Sequence, residues 1–291
     1  MSVPTVERRT HERWGECVWV SNGTIELLAP TTIGPRIVRF GFLDGRNEFH
    51  LFPEDYESVP RFGGHRLWHA PEAYPRTYDP EDEPVDAELL EDGVRLVGPT
   101  GDADIQKAMT VRMSESAARV EVEHELTNRN PWPIEFAPWA ISVLAPGGTA
   151  VLPLAQQADD EALLPDRSVQ LWPYTSPADD RIEFEDDAVF VDQANDREPT
   201  KIGTSGADGW VAYVNDGHAF RKDYHRDPEA TYPDRGSAAE AYTDDTLLEL
   251  ETLAPLQSVA PEQTVRYTEA WTLADGIDRP ADAAQIDTES R

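Results

Sequence analysis

Glu16-Cys17-Val18-Trp19-Val20 and Thr24-Ile25-Glu26-Leu27-Leu28 stand on either side of Asn22-Gly23. Both arms read as short strands, and Asn-Gly accepts the positive φ values that a two-residue hairpin turn imposes. Asn22-Gly23-Thr24 also fits a glycosylation sequon, but it reads more simply as this turn. Working outward, Arg36-Ile37-Val38-Arg39-Phe40-Gly41-Phe42 and Asn47-Glu48-Phe49-His50-Leu51-Phe52, divided by Asp44-Gly45, extend the hairpin into a meander. From Ala108 to Leu126, Met109, Val111 and Met113 and then Val120 and Val122 alternate around the polar Ser114-Glu115-Ser116, which predicts two long antiparallel strands. Further strands are predicted over 134–136, 140–144, 169–172, 188–191, 209–214, 247–251 and 265–271. No long segment has the 3.6-residue apolar period of a packed helix, and turn residues recur throughout. The expected architecture is all-β, a sandwich or barrel. No repeat or linker divides the chain. A single β-sandwich domain is expected over 1–275, followed by a loose acidic tail over 276–291.

Composition narrows the function. Hydrophobic residues make up 39% of the 291, with 8 Trp, 9 Tyr and 9 Phe, so a large core can be buried without disulfides. Against that stand 56 acidic and 25 basic residues and a formal net charge of -31. In about 1 M salt the screening length falls to roughly 3 Å, which removes most of the self-repulsion such a surface would suffer. The chain reads as halophilic. Binding to nucleic acid or to an anionic membrane is excluded, because both need clustered Lys and Arg. Lys occurs only at positions 107, 201 and 222. The single cysteine, Cys17, reads as a small buried hydrophobe. The charged N-terminus lacks the apolar core of a signal peptide and no long apolar run follows, so the expected location is cytoplasmic.

Three stretches have the composition of a binding site. Phe62-Gly63-Gly64-His65-Arg66-Leu67-Trp68-His69-Ala70-Pro71-Glu72 combines flexible glycines with hydrogen-bonding side chains and a flat indole of the kind that covers a sugar ring. If it is a strand, His65, Leu67 and His69 share one face while Arg66 and Trp68 share the other. It reads equally well as a strand with a buried Trp and two satisfied histidines. In Leu247-Leu248-Glu249-Leu250-Glu251-Thr252-Leu253, Glu249 and Glu251 point away from Leu248 and Leu250. A carboxyl against apolar walls holds its proton to higher pH and becomes a general base near neutrality. In a chain this acidic, the same pattern also describes an exposed acidic face. Lys201, in Thr200-Lys201-Ile202-Gly203-Thr204, either pairs a buried carboxylate or touches a ligand hydroxyl.

Serine-hydrolase elbows, P-loops and Gly-x-Gly-x-x-Gly fingerprints are absent, so no nucleotide or other cofactor is expected. His65 and His69 would set two imidazoles on one strand face, but a third ligand is not identifiable and no metal is assigned.

The first stretch, together with Tyr232-Pro233-Asp234-Arg235-Gly236, Glu249-Leu250-Glu251-Thr252-Leu253 and Glu269-Ala270-Trp271-Thr272-Leu273, resembles the aldose 1-epimerase, or galactose mutarotase-like, superfamily. These segments span most of the chain. The resemblance implies a large antiparallel β-supersandwich with a concave sugar-binding face. It implies Glu251 as the base, with Glu249 second, and a small carbohydrate as ligand. Mutarotation also needs an acid facing that base across the sugar. The position where the family carries a His corresponds here to Trp139, which has no proton to titrate. Either His65 or His69 supplies the acid, with Arg66, Trp68 and Lys201 positioning the sugar, or the chain binds sugar without epimerising it. A structural protein that only keeps the fold is the third reading. Net charge disfavours phosphosugars, although Arg66 and Lys201 together would reverse that locally. The sequence assigns no oligomeric state.

Overall fold

The computed structural model describes residues 3–53, 62–155 and 163–289. Strands make up nearly all of the regular structure, in sheets of ten, eight and four strands. Every neighbouring pair runs antiparallel. The all-β reading holds.

The opening hairpin forms between Gly15–Ser21 and Ile25–Pro30, with Gly23 at a φ of 86° in the turn. The long pair appears as Ile105–Met113 against Arg119–Asn128 in the ten-stranded sheet. The strand expected over 47–52 is reduced to an isolated bridge between Phe49 and Leu144, and 36–42 divides into Arg36–Ile37 and Arg39–Phe42 on different sheets. The two short strands predicted around 134–144 are a single strand, Ile134–Leu144, that runs straight through Pro138. Pro138 falls where the partner on one side changes from Gln257–Val259 to Leu248–Leu253, so its missing N–H faces a break in the ladder.

The ten- and eight-stranded sheets enclose the main core. Trp271, fully buried, meets Phe40, Phe49 and Phe220 edge-on at centroid distances of 5.6, 5.8 and 5.5 Å. The four-stranded sheet adds Val18, Val20, Ile25 and Leu27 to the same cluster. Cys17 is buried, as its composition suggests. Beyond Gly276, where a loose tail was expected, Ile277, Ala283 and Ile286 are buried in a second apolar cluster with Phe190 and Trp210. Ala283 and Ile286 belong to the short helix Ala283–Glu289, where their i and i+3 spacing sets them on one side. Among the described residues, no helix is long and apolar enough to cross a membrane.

Candidate functional site

Directly opposed residues in an antiparallel pair point to the same face of the sheet. The register of the eight-stranded sheet opposes Glu251 to Ile141 and Glu240, Ile141 to Arg66, Trp139 to Trp68, and Tyr242 to both Glu249 and Lys201. Strand alternation then places Arg66, Trp68, Trp139, Lys201, Glu240, Tyr242, Glu249 and Glu251 together on one face. Leu67, Ala140, Ile202, Ala241, Leu248 and Leu250 occupy the other face and lie in the central core.

At the middle of the first face is a buried charge cluster. The Lys201 ammonium lies 2.8 Å from Glu251 Oε2 and 2.8 Å from Glu240 Oε2. Trp139 Nε1 donates to the same Glu251 oxygen at 2.7 Å. Glu251 Oε1 is buried and has no hydrogen-bond donor. Burial pushes the Glu251 carboxyl up to about 8 against the opposing pull of Lys201, and the negative charge of Glu240 pushes the same way. Burial alone would strip the proton from Lys201, but the two carboxylates outweigh it and hold the ammonium charged. Its Nζ also lies 4.8 Å from the Trp139 ring centre and 4.7 Å from that of Trp172.

Around this cluster the face is aromatic and partly open to solvent. Trp68 packs edge-on against Trp139 at 5.6 Å and at a tilt against Tyr78 at 5.1 Å, and the Tyr78 hydroxyl donates to Glu72. Arg66 lies over Trp68 at 4.4 Å and donates to Glu249 Oε1 at 2.9 Å, while its buried Nε has no acceptor. On the opposite side Tyr174 meets Tyr242 at 6.5 Å.

A tight turn, Pro233–Gly236, closes that side. Its residues Asp234, Arg235 and Gly236 take φ values of 48°, 65° and 99°, a left-handed run that costs the two non-glycine residues about 1–3 kcal/mol each. Gly203 makes the approach possible. A Cβ there would stand 2.2 Å from Ser237 Oγ and 3.3 Å from Glu240 Cγ. The turn sets Asp234 beside the cluster, and burial, with the negative charge of Glu240 acting the same way, pushes Asp234 up to about 6.

The histidines go elsewhere, which corrects the expectation that one of them is the acid. The parity inferred for His65–Ala70 is right, but the face bearing His65, Leu67 and His69 is the core face. His65 Nδ1 meets Ser142 Oγ at 2.9 Å and Nε2 meets His124 Nε2 at 2.8 Å, while His124 Nδ1 lies 3.1 Å from the Tyr267 carbonyl oxygen. A carbonyl only accepts, so His124 Nδ1 carries the hydrogen and its Nε2 is the acceptor. His65 Nε2 must then donate, leaving Nδ1 to accept from Ser142. Both rings are fixed as neutral tautomers. Burial holds His65 well below its usual range and His124 at about 4. His69, 1% exposed, has no hydrogen-bond partner on either nitrogen and is held down at about 3 by burial. Neither ring reaches Glu251, and neither holds a proton to give near neutral pH.

His65 and His69 also do not form a metal pair. Among the described residues, the grouping with ligand-like spacing is His65, His124 and Glu269, all buried, and there the Lys222 ammonium already lies 2.8 Å from Glu269 Oε1. The glycines of the first stretch serve the fold. A Cβ on Gly63 would stand 2.2 Å from the His50 carbonyl oxygen and one on Gly64 2.3 Å from that of Ile37, so the close approach is to the chain's own backbone. A separate hollow of about 140 Å³ is lined by Asp79, Glu81 and Lys107, but both Glu81 oxygens are paired, to Arg36 and to Lys107.

No protein-family model matches the chain, and no curated protein matches it in sequence. Solved structures do match. A candidate aldose 1-epimerase from Escherichia coli K12 is 12% identical over 94% of this chain and 99% of its own, with a TM-score of 0.55. A second candidate aldose 1-epimerase, from Klebsiella pneumoniae, is 12% identical over 98% and 85%, with a TM-score of 0.57. A galactose mutarotase-like protein from Lactobacillus casei is 9% identical over 88% and 99%, with a TM-score of 0.54. The chain has the galactose mutarotase-like fold. On this fold Glu251, Glu249, Arg66, Trp68, Trp139 and Lys201, all singled out in the sequence, share one face of the sheet. Glu240 and Asp234, which the sequence reading did not single out for the site, stand beside the same cluster. The signal for Glu240 was present in Ala239-Glu240-Ala241-Tyr242, a lone acid alternating with small core residues.

Proposed function

We propose that this galactose mutarotase-like protein binds a carbohydrate on the face that carries Trp68, Trp139 and Lys201, and does not epimerise it with an imidazole acid. The observation that carries the reading is a buried donor without an acceptor, Arg66 Nε, on the same aromatic face as a buried carboxyl oxygen without a partner, Glu251 Oε1. Buried polar groups are normally paired, and sugar hydroxyls both donate and accept while sugar rings cover indole faces. A mutarotase-like epimerase is the second reading. It is favoured by the Glu251 carboxyl, which holds its proton to about 8 as a general base near neutrality would. The acidic surface is read as an adaptation to molar salt, so the tests belong there.

Two measurements separate the readings. Titration of neutral aldoses, followed by tryptophan fluorescence, is expected to saturate with the wild type and to weaken about tenfold, or 1.4 kcal/mol, in Trp68→Ala. Anomer exchange followed by NMR is expected to match buffer in both the wild type and Glu251→Gln. Faster exchange by the wild type that Glu251→Gln abolishes would establish the epimerase, and absence of any saturable binding would remove both.

A further inference from the structure

We infer that the site selects sugars bearing an amino group over neutral sugars and over sugar phosphates; this rests on the carbohydrate reading above. Glu72, Asp234, Glu240, Glu249 and Glu251 surround the face, against two cations, Arg66 and Lys201. Both cations are already committed. Arg66 is paired to Glu249, and Lys201 is shared by Glu240 and Glu251. The pair that might have received a phosphate is therefore neutralised from within the protein, and an incoming anion would meet uncompensated carboxylates.

An incoming ammonium meets the opposite situation. Glu240 Oε1 is buried without a hydrogen-bond donor, and the charges of Glu240 and Glu72 join burial in favouring the protonated form of Asp234. Glu251 Oε1, on a side chain wholly out of solvent, has no donor. The cluster thus takes up protons where it lacks cations, and an alkylammonium satisfies the same need. Lys201 shows that the walls suit one: its Nζ sits between two indole rings as well as two carboxylates. In molar salt the exposed acids of the surface are screened over a few ångströms, whereas this buried group keeps its field. Selectivity measured in high salt reports on the site and not on the net charge.

The test is calorimetric titration of glucosamine, glucose and glucose 6-phosphate in molar salt at neutral pH. Glucosamine is expected to bind at least about tenfold more tightly than glucose, with glucose 6-phosphate weakest. Glucosamine binding is also expected to release protons, read as a heat that changes with the ionisation enthalpy of the buffer. Asp234→Asn should reduce the glucosamine-to-glucose ratio several-fold. Glu88→Gln, an exposed acid on the edge strand Asp86–Leu89, should leave that ratio alone. Equal affinity for glucose and glucosamine would overturn the inference while sparing carbohydrate binding, as would tightest binding of the phosphate. Failure of all three to bind would remove both.

Discussion

Lys201 and Lys222 lie on opposite sides of the same eight-stranded sheet, each with its ammonium 2.8 Å from a carboxylate oxygen, yet the two environments act on them in opposite directions. Lys201 has two carboxylates and two indole rings, and its charge is favoured. Lys222, wholly buried, has Glu269 and two longer contacts to the carbonyl oxygens of Ala140 and Leu250, and burial wins, easing its proton away. Glu269 in turn accepts from Trp271 Nε1 at 2.8 Å and from Thr252 Oγ1, so its oxygens are fully used. The core cluster is saturated with partners and closed to solvent. The face cluster has carboxyl oxygens to spare and a partly open rim. The same ion pair serves as a lock in one place and is left ready for a ligand in the other.

The sharpest way to break this comparison is to remove each ammonium. Lys222→Met leaves Glu269 charged in the core and is expected to cost about 3–5 kcal/mol by denaturant unfolding, with Lys222→Met/Glu269→Gln recovering most of it. Lys201→Met should cost less, about 2 kcal/mol, because Glu240 and Glu251 lie near a rim where protons can replace the lost cation. Equal losses at the two sites would erase the distinction.

Stability against pH sharpens the contrast further. Glu251 is raised from 4.5 to about 8, so the folded state holds its proton longer than the unfolded chain does. Its contribution is complete below 4.5 and is lost as pH climbs towards 8. His124 is lowered from 6.5 to about 4, so its contribution is complete above 6.5 and is lost as pH falls towards 4. Each slope is bounded at about 1.4 kcal/mol per pH unit per proton. Between 6.5 and 8 only the face cluster acts, and stability should rise on mild acidification. Glu251→Gln is expected to flatten that limb, and His124→Gln to flatten the fall below 6.5. A Glu251→Gln curve parallel to the wild type would show that the carboxyl is ionised throughout.

These two clusters also mark how far the sequence could be read. Alternation in Leu248–Leu253 and His65–Ala70 gave both the strands and the parity of every side chain on them, because a strand leaves only two directions. It did not say which direction is the core. Leu67 between His65 and His69 was the available clue, and glycine and histidine content outweighed it. Glu240 and Asp234 were harder still. Their proximity to Lys201 comes from the pairing of Thr200–Thr204 with Ala239–Thr243 and from a turn that folds down on Gly203, neither of which any local pattern encodes.

Trp139 offers the smallest and most discriminating change, since it stands where the resemblance led one to expect an acid. Its Nε1 donates to Glu251 Oε2, the oxygen that also faces Lys201. Trp139→Phe keeps an aromatic ring beside Trp68 and removes only that donor, so the expected cost is about 1 kcal/mol. The direction of its effect on Glu251 is the informative part. A bond to the ionised carboxylate favours the charged form, and losing it should move the carboxyl titration upward from about 8, read by NMR of the labelled side-chain carbon. A downward shift would mean that the indole was chiefly a desolvating wall whose replacement lets water in. Trp139 would then belong with the aromatic lining and not with the charge cluster.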